Sequence, residues 1–296
     1  MTRAVQSLLL LSLAASSGAL AVDLQEPPPA DAIVVEGKRV DEREIDRFVG
    51  ALTPAPIGGQ IGRFELEVCP AATGLGPRQN QAVADRIRAV AAAVGARVGK
   101  ANCRTNLLVV ASWQPQALIK AWRKKYPEYF RNLDQPVRLA DPDGPAIAWH
   151  IEGRRTADGI EADIVFNPQC GCRYYQSATT TAGRLKPVTR PHFLMGVLVL
   201  DKQRLGGLTA TQVADYATMR LLARTRSDRL ATSTVPTIMS VIEAEPGTMI
   251  PVTLTSWDFS FLKSLYGSSE NRFANQQRGE MQRMMRKELQ GSRSQP

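Results

Sequence analysis

Residues 192–200 read HFLMGVLVL, a run in which His192 is the one polar side chain. A strand this apolar offers no face to water, so it belongs in the centre of a sheet covered on both sides. Hydrophobic residues make up 44% of the 296, enough to give such a sheet a sizeable core,. With 22% charged residues, the proportions exclude a mainly disordered chain, a collagen-like repeat and a polytopic membrane protein,.

Partners for the central strand are legible by their period. Residues 146–152 (AIAWHIE) place Ala146, Ala148 and His150 on one face and Ile147, Trp149 and Ile151 on the other,. Residues 107–111 (LLVVA) read as a short buried strand. Residues 63–68 (RFELEV) alternate Phe64, Leu66 and Val68 against Arg63, Glu65 and Glu67, the pattern of a half-buried strand ending at Cys69-Pro70. A further short strand is predicted over 33–40. Ile45, Phe48, Val49 and Leu52 stand at helical spacing behind Asp41, an N-cap residue type, and Pro54 and Pro56 end that run,. Pro77 suits the first turn of a helix to Val94, with Gly95 as its C-cap and Val83, Ile87, Val90, Ala91 and Val94 as its apolar face,. Residues 116–130 contain a helix with Leu118, Ile119 and Trp122 inside and Lys120, Arg123, Lys124 and Lys125 outside. Helices are also predicted over 208–224, 236–243, 256–266 and 272–289. Residues 154–190, with Asp158-Gly159 and Thr179 to Thr181, are the least regular and read as a long connection or protruding hairpin,. Strands and helices interleave first and helices accumulate afterwards. The expected fold class is therefore α+β, a single mixed-sheet domain with a helical C-terminal layer.

The chain opens MTRAVQSLLLLSLAASSGALA. Arg3 supplies a positive n-region, an apolar stretch follows, and Ala19-Leu20-Ala21 is an A-x-A cleavage site. Together these read as a secretory signal peptide cleaved after Ala21. Cleavage removes one arginine, so a formal net charge of +9 over 296 residues becomes +8 over 275. No later apolar run is long enough to span a bilayer, so no transmembrane segment is expected in the mature chain. The implied location is periplasmic or secreted, where thiols tend to oxidise. The organisation reads as signal peptide 1–21, proline-rich linker 22–32 with Pro27, Pro28 and Pro29, α+β domain 33–271, and a basic helix and tail 272–296,.

Cys69 ends a predicted strand and Cys103 precedes another, so a structural disulfide between them is favoured over a redox pair or metal ligands,. Cys170 and Cys172 form a C-x-C, readable as a loop clip, a small redox switch or part of a metal site,. With two histidines in the chain, a zinc site would need Cys170, Cys172, His150 and His192 to converge from two strands and a loop. No metal or cofactor is expected. His192 is the weak catalytic candidate, because it starts a strand and could reach solvent there. A partly buried histidine with one hydrogen-bond partner is the plainer reading of both His150 and His192. Motifs for a nucleophile elbow, S-x-x-K or a P-loop are absent,. Gly74-Leu75-Gly76 before a helix could face an anion, although Gln79 stands where a dinucleotide fingerprint has its third glycine,. Asp141-Pro142-Asp143-Gly144 is a turn first and a carboxylate pair second,. On the helix after the apolar strand, Gln212 and Tyr216 occupy the two ligand positions of a zincin H-E-x-x-H,. An ordinary packing helix explains that helix better.

Residues 272–296 hold six basic and two acidic side chains, beside an apolar stripe of Met281, Met284, Met285 and Leu289. Arg278, Arg283, Arg286 and Lys287 could therefore contact an anionic envelope surface or a protein partner. Export argues against nucleic acid.

Six segments together resemble a group of uncharacterised exported proteins from alphaproteobacteria. They are RFVGALTPAPIGGQIGRFELEVCP (47–70), LGPRQNQAVADRIRAVAAAVG (75–95), AWHIEG (148–153), GLTATQVADYATMRLLART (207–225), VPTIMSVIEA (235–244) and LTSWDFSFLKSLYGSSENRFANQQRGEM (254–281). The resemblance covers most of the mature chain and implies export and a shared fold, without supplying catalytic residues. The expected function is a non-catalytic binding or structural protein of the cell envelope. The alternative is a degenerate peptidase-like or hydrolase domain with a site near His192.

Overall fold

The computed structural model describes residues 41–54, 59–133, 135–177, 187–225, 228–230, 235–245 and 247–291. The export signal, the proline-rich linker, the 33–40 strand, Pro56, Thr179 to Thr181 and Arg293 lie outside the described residues. The elements run α1 (Glu42–Leu52), β1 (Pro70–Thr73), α2 (Pro77–Ala93), β2 (Leu107–Ser112), α3 (Pro115–Lys125), β3 (Arg131–Asn132), β4 (Gln135–Pro136), β5 (Ala146–Thr156), β6 (Asp163–Asn167), β7 (Cys172–Gln176), β8 (Thr189–Asp201), α4 (Ala210–Leu222), α5 (Ser256–Gly267) and α6 (Ala274–Gly291).

The apolar run forms the body of β8, inside a mixed sheet of order β1-β2-β8-β5. β1, β2 and β8 are parallel and β5 is antiparallel to β8. Alternation on β5 divides the core as the period requires. Ala146 and Ala148 join the larger cluster on one face, while Ile147 and Trp149 join a smaller one on the other. α2 and α4 cover the first face, with α1, α5 and α6 beyond them. The second face is covered by α3, the 3-10 turn Pro127–Phe130 and the β3–β4 ribbon, through Ile119, Phe130 and Val137. The fold is thus α+β, with its last three helices accumulated on one side.

Local chemistry accounts for the helix ends. Asp41 accepts from the Arg43 N–H at the start of α1, and Pro77 opens α2. Reciprocal capping boxes open α4 (Thr209 with Gln212) and α5 (Thr255 with Asp258),. Pro127 cannot continue α3, so the predicted helix over 116–130 closes at Lys125 and resumes as the 3-10 turn,. The helix predicted over 236–243 is reduced to the 3-10 turn Ile238–Ser240.

Two expectations need correcting. Residues 63–68 are not a strand. Leu66 is exposed, Arg63 and Glu65 are buried, and the backbone makes only isolated bridges, from Arg63 to His192 and from Val68 to Val98. The strand begins at Pro70, which the edge position tolerates because a first-residue proline on an edge loses no ladder bond,. The basic C-terminal helix is also not set apart from the domain. Met281, Met285 and Leu289 of α6 are buried in the main cluster, each contributing about 1.5–3 kcal/mol. The described part of the irregular stretch, 154–177 and 187–190, holds longer ends of β5 and β8 and a hairpin, β6–β7.

Candidate functional site

His192 is the fourth residue of β8 rather than its first, because the β5–β8 ladder continues past the apolar runs to Thr156↔Thr189. The extra length seals the histidine, which is 0% exposed. Its Nε2 lies 2.6 Å from Glu161 Oε1. Its Nδ1 is buried and has no partner among the described residues. The glycine opposite makes the contact possible, since a Cβ on Gly153 would come within 2.6 Å of both Glu161 Oε1 and His192 Nε2. Partial burial pushes the Glu161 carboxyl up, but hydrogen bonds from His192 and Arg155 outweigh it and hold the group below its usual range,. The order of the pair is the reverse of a catalytic dyad. The carboxylate faces solvent and the imidazole lies behind it, so a substrate meets Glu161 before it meets His192.

Beside this pair is a charged cluster that the sequence did not reveal. Arg190 places Nε 2.6 Å from Glu65 Oε1 and Nη2 3.0 Å from Glu270 Oε2. Arg63 reaches Glu270 at 2.9 Å, and Arg155 bridges Glu65 and Glu161 at 3.6 and 3.0 Å. Arg190 also donates to the Thr156 and Ala157 carbonyls and to Asn271. Desolvation opposes the charge on Arg190, yet the Glu65 carboxylate dominates and raises its pKa above the ordinary guanidinium value. These bonds pin residues 63–65, the ends of β5 and β8, and the α5–α6 connection. Their partners are up to 207 residues apart, between Arg63 and Glu270.

His150 has a different setting. Its ring stacks on Phe193 with centroids 4.1 Å apart, and Nε2 donates to the Leu221 carbonyl at 2.9 Å. Burial, reinforced by Arg224, pushes its pKa down to about 3, so it stays neutral at physiological pH. Gln212 completes the α4 capping box and donates to the Pro251 carbonyl. Tyr216 accepts from the buried Arg220 at 2.7 Å, and burial pushes its pKa up to about 12. Both zincin-like positions are therefore packing positions. Arg220 also faces Asp141 at 2.9 Å, which draws that carboxylate inward and away from any pairing with Asp143. Gly74 adopts φ +89, and a Cβ there would meet the Ala111 carbonyl oxygen at 2.0 Å. The N–H of Leu75 is already bonded to Asn80 Oδ1, so the loop is a self-capped turn.

Cys69 and Cys103 are bonded, with sulfurs 2.02 Å apart, and so are Cys170 and Cys172 at 2.00 Å. The second bond sits at the tip of the β6–β7 hairpin, whereas His150 and His192 lie within the β5–β8 ladder. Among the described residues no three His, Cys, Asp or Glu side chains converge as metal ligands. Of the four basic residues considered on α6, Arg278 donates to the Thr53 hydroxyl and carbonyl, and Arg286 pairs with Glu42 at 2.8 Å. Arg283 and Lys287 remain exposed. A cleft between the ends of α1 and α4, lined by Leu52, Thr53, Gln60, Gly62, Ala223 and Arg224, encloses about 40 Å³. A metabolite-sized ligand needs several hundred. Among the described residues no helix is long and apolar enough to cross a membrane.

The second face of the sheet presents a contrasting surface. Lys120, Arg123, Lys124, Lys125, Arg131 and Arg138 are all exposed there. None of the six pairs with a carboxylate among the described residues. Aromatic rings stand among them. Lys125 lies over Tyr126, Tyr126 meets Tyr129 edge to face, Arg123 lies over Phe130, and Lys202 lies over Trp113.

No family model, no curated protein and no solved structure matches the chain. The functional reading therefore rests on these residues alone.

Proposed function

We propose that the chain is an exported cell-envelope protein that acts by binding, not by catalysis. The observation that carries this reading is the enclosure of His192, the catalytic candidate of the sequence, which is 0% exposed behind Glu161 among the described residues. Two disulfides and a leader of secretory pattern are in keeping with export to an oxidising compartment,. The other titratable groups in the interior are bound into the packing: Asp215 to Arg86, Asp258 to two helix starts, and Glu65 to Arg190.

The test is a turnover assay of the purified mature chain on ester, amide, phosphoester and glycoside substrates. No turnover above that of a His192→Ala variant is expected. Turnover in the parent chain that the folded His192→Ala variant lacks would overturn the reading.

A further inference from the structure

We propose that the face built by α3, the Pro127–Phe130 turn and the β6–β7 hairpin docks the protein on an anionic phospholipid bilayer. This deepens the binding reading above and rests on it.

The first argument is charge. Residues 115–138 carry six basic side chains against two acidic ones. A cation on a protein surface is normally solvated or paired. Elsewhere among the described residues eight arginines find carboxylates (Arg63, Arg86, Arg155, Arg190, Arg220, Arg224, Arg272 and Arg286), and exposed cations without one, such as Arg43, Arg78 and Arg104, are scattered over separate elements rather than gathered on one. On this face the cations are left for an external anion. Lys120, Arg123 and Lys124 fall within one sector of α3, with Arg123 one turn beyond the buried Ile119 and Lys120 and Lys124 farther round the helix,. Such a row suits a plane of lipid phosphates.

The second argument is the apolar part of the same surface. β6 and β7 pair Ile164↔Tyr175 and Phe166↔Arg173, so these four project on one side of the ribbon,. Arg173 on that side donates to the Leu133 carbonyl, and Tyr175 donates to the Glu152 carbonyl. The side is therefore tied to the turn of the β3–β4 ribbon, which follows α3 and the Pro127–Phe130 turn in the chain, and to β5. Yet Ile164 is 54% exposed and Phe166 60% exposed. Trp113, Tyr126 and Tyr129, beside the cations, are also exposed. Aliphatic and phenyl groups fit the acyl boundary, indole and phenol rings fit the headgroup level, and lysine and arginine fit the phosphates. A soluble polyanion would use the cations and leave Ile164 and Phe166 in water.

The hairpin is also made firm enough to insert. A two-stranded ribbon alone is marginal in water. Here the Cys170–Cys172 bond closes the turn at its tip, and the Tyr175 bond ties its base to β5.

The experiment is co-sedimentation of the full mature chain with vesicles of phosphatidylglycerol mixed into phosphatidylcholine, against phosphatidylcholine alone and soluble dextran sulfate. The expected result is salt-sensitive binding to the anionic vesicles. The triple variant Lys120→Gln, Arg123→Gln, Lys124→Gln should weaken it about 150-fold, roughly fivefold for each cation removed. The pair Ile164→Ser, Phe166→Ser should weaken vesicle binding and leave dextran sulfate binding unchanged. The pair Arg283→Gln, Lys287→Gln on α6 should change neither. Circular dichroism and thermal melting verify that each variant is folded. The lipid proposal is overturned by no vesicle binding, by binding indifferent to the serine pair, or by capture of a soluble protein that leaves the vesicles unbound. Each of those outcomes leaves the non-catalytic reading standing, because only the turnover assay decides that.

Discussion

The two faces of the sheet treat charge in opposite ways. Behind α2 and α4, ionisable groups are buried and answered: Asp215 accepts from Arg86, Thr253 and the Leu254 N–H, and Asp258 accepts from Thr237, Ile238 and Thr255. Across the sheet, α3 carries exposed cations with no carboxylate partner among the described residues. A buried charge must be paired, because desolvation costs several kcal/mol for each ion. An exposed unpaired charge costs the fold almost nothing and is free to meet another molecule. The contrast separates residues that hold the protein together from residues available to a partner.

The sharpest way to break the contrast is at the buried cluster beside His192. Arg190→Met should leave the buried Glu65 with Arg155, at 3.6 Å, as its remaining cation, lowering stability by about 3 kcal/mol in a denaturant melt,. A loss below 1 kcal/mol would show that the cluster is not structural. Next come the disulfides, which differ in the loop they close. Cys69 and Cys103 are 34 residues apart, Cys170 and Cys172 only 2. Replacing the first pair by serine should cost about 3–4 kcal/mol. Replacing the second should cost less, and should raise amide exchange within β6 and β7 alone. Equal effects would contradict the assignment of one to the core and the other to the hairpin.

These two tests also mark what was legible in the sequence. The central β8, the faces of β5, the Pro77 start of α2 and the Cys69–Cys103 bond depend on neighbours or on strong periodicity, and so could be read. The role of Arg190 could not, because its partner Glu65 is 125 positions away and looked like the solvent side of an alternating strand. Arg220 was hidden for the same reason, as one cation in an apolar helix whose partners lie in the Asp141 turn. Two basic helices were visible, α3 and α6, and the apolar stripe of Met281, Met284, Met285 and Leu289 drew the binding expectation to α6 alone. The ranking of α3 above α6 came from long-range contacts, since Thr53 and Glu42 occupy two of the four α6 cations considered.

A smaller effect is expected from His150. Its folded pKa of about 3 lies below the unfolded value of 6.5. Below pH 6.5 the unfolded chain takes up a proton that the folded chain refuses. This contribution is complete above that pH and is lost as pH falls toward 3, by at most about 1.4 kcal/mol per pH unit. Melts from pH 7 to pH 4 should show a slope that His150→Gln reduces. An unchanged slope would assign it to other groups. Smallest of all is the effect of the α3 triple variant on stability, which should stay within about 0.5 kcal/mol of the parent. A larger loss would mean that those cations serve the fold after all.

The division of labour between the faces is tested most directly by hydrogen–deuterium exchange of the mature chain with and without phosphatidylglycerol vesicles. Protection on vesicle binding should appear in residues 115–130 and 163–176, with residues 274–290 unchanged. Protection confined to residues 274–290 would contradict the account and return the binding role to the C-terminal helix.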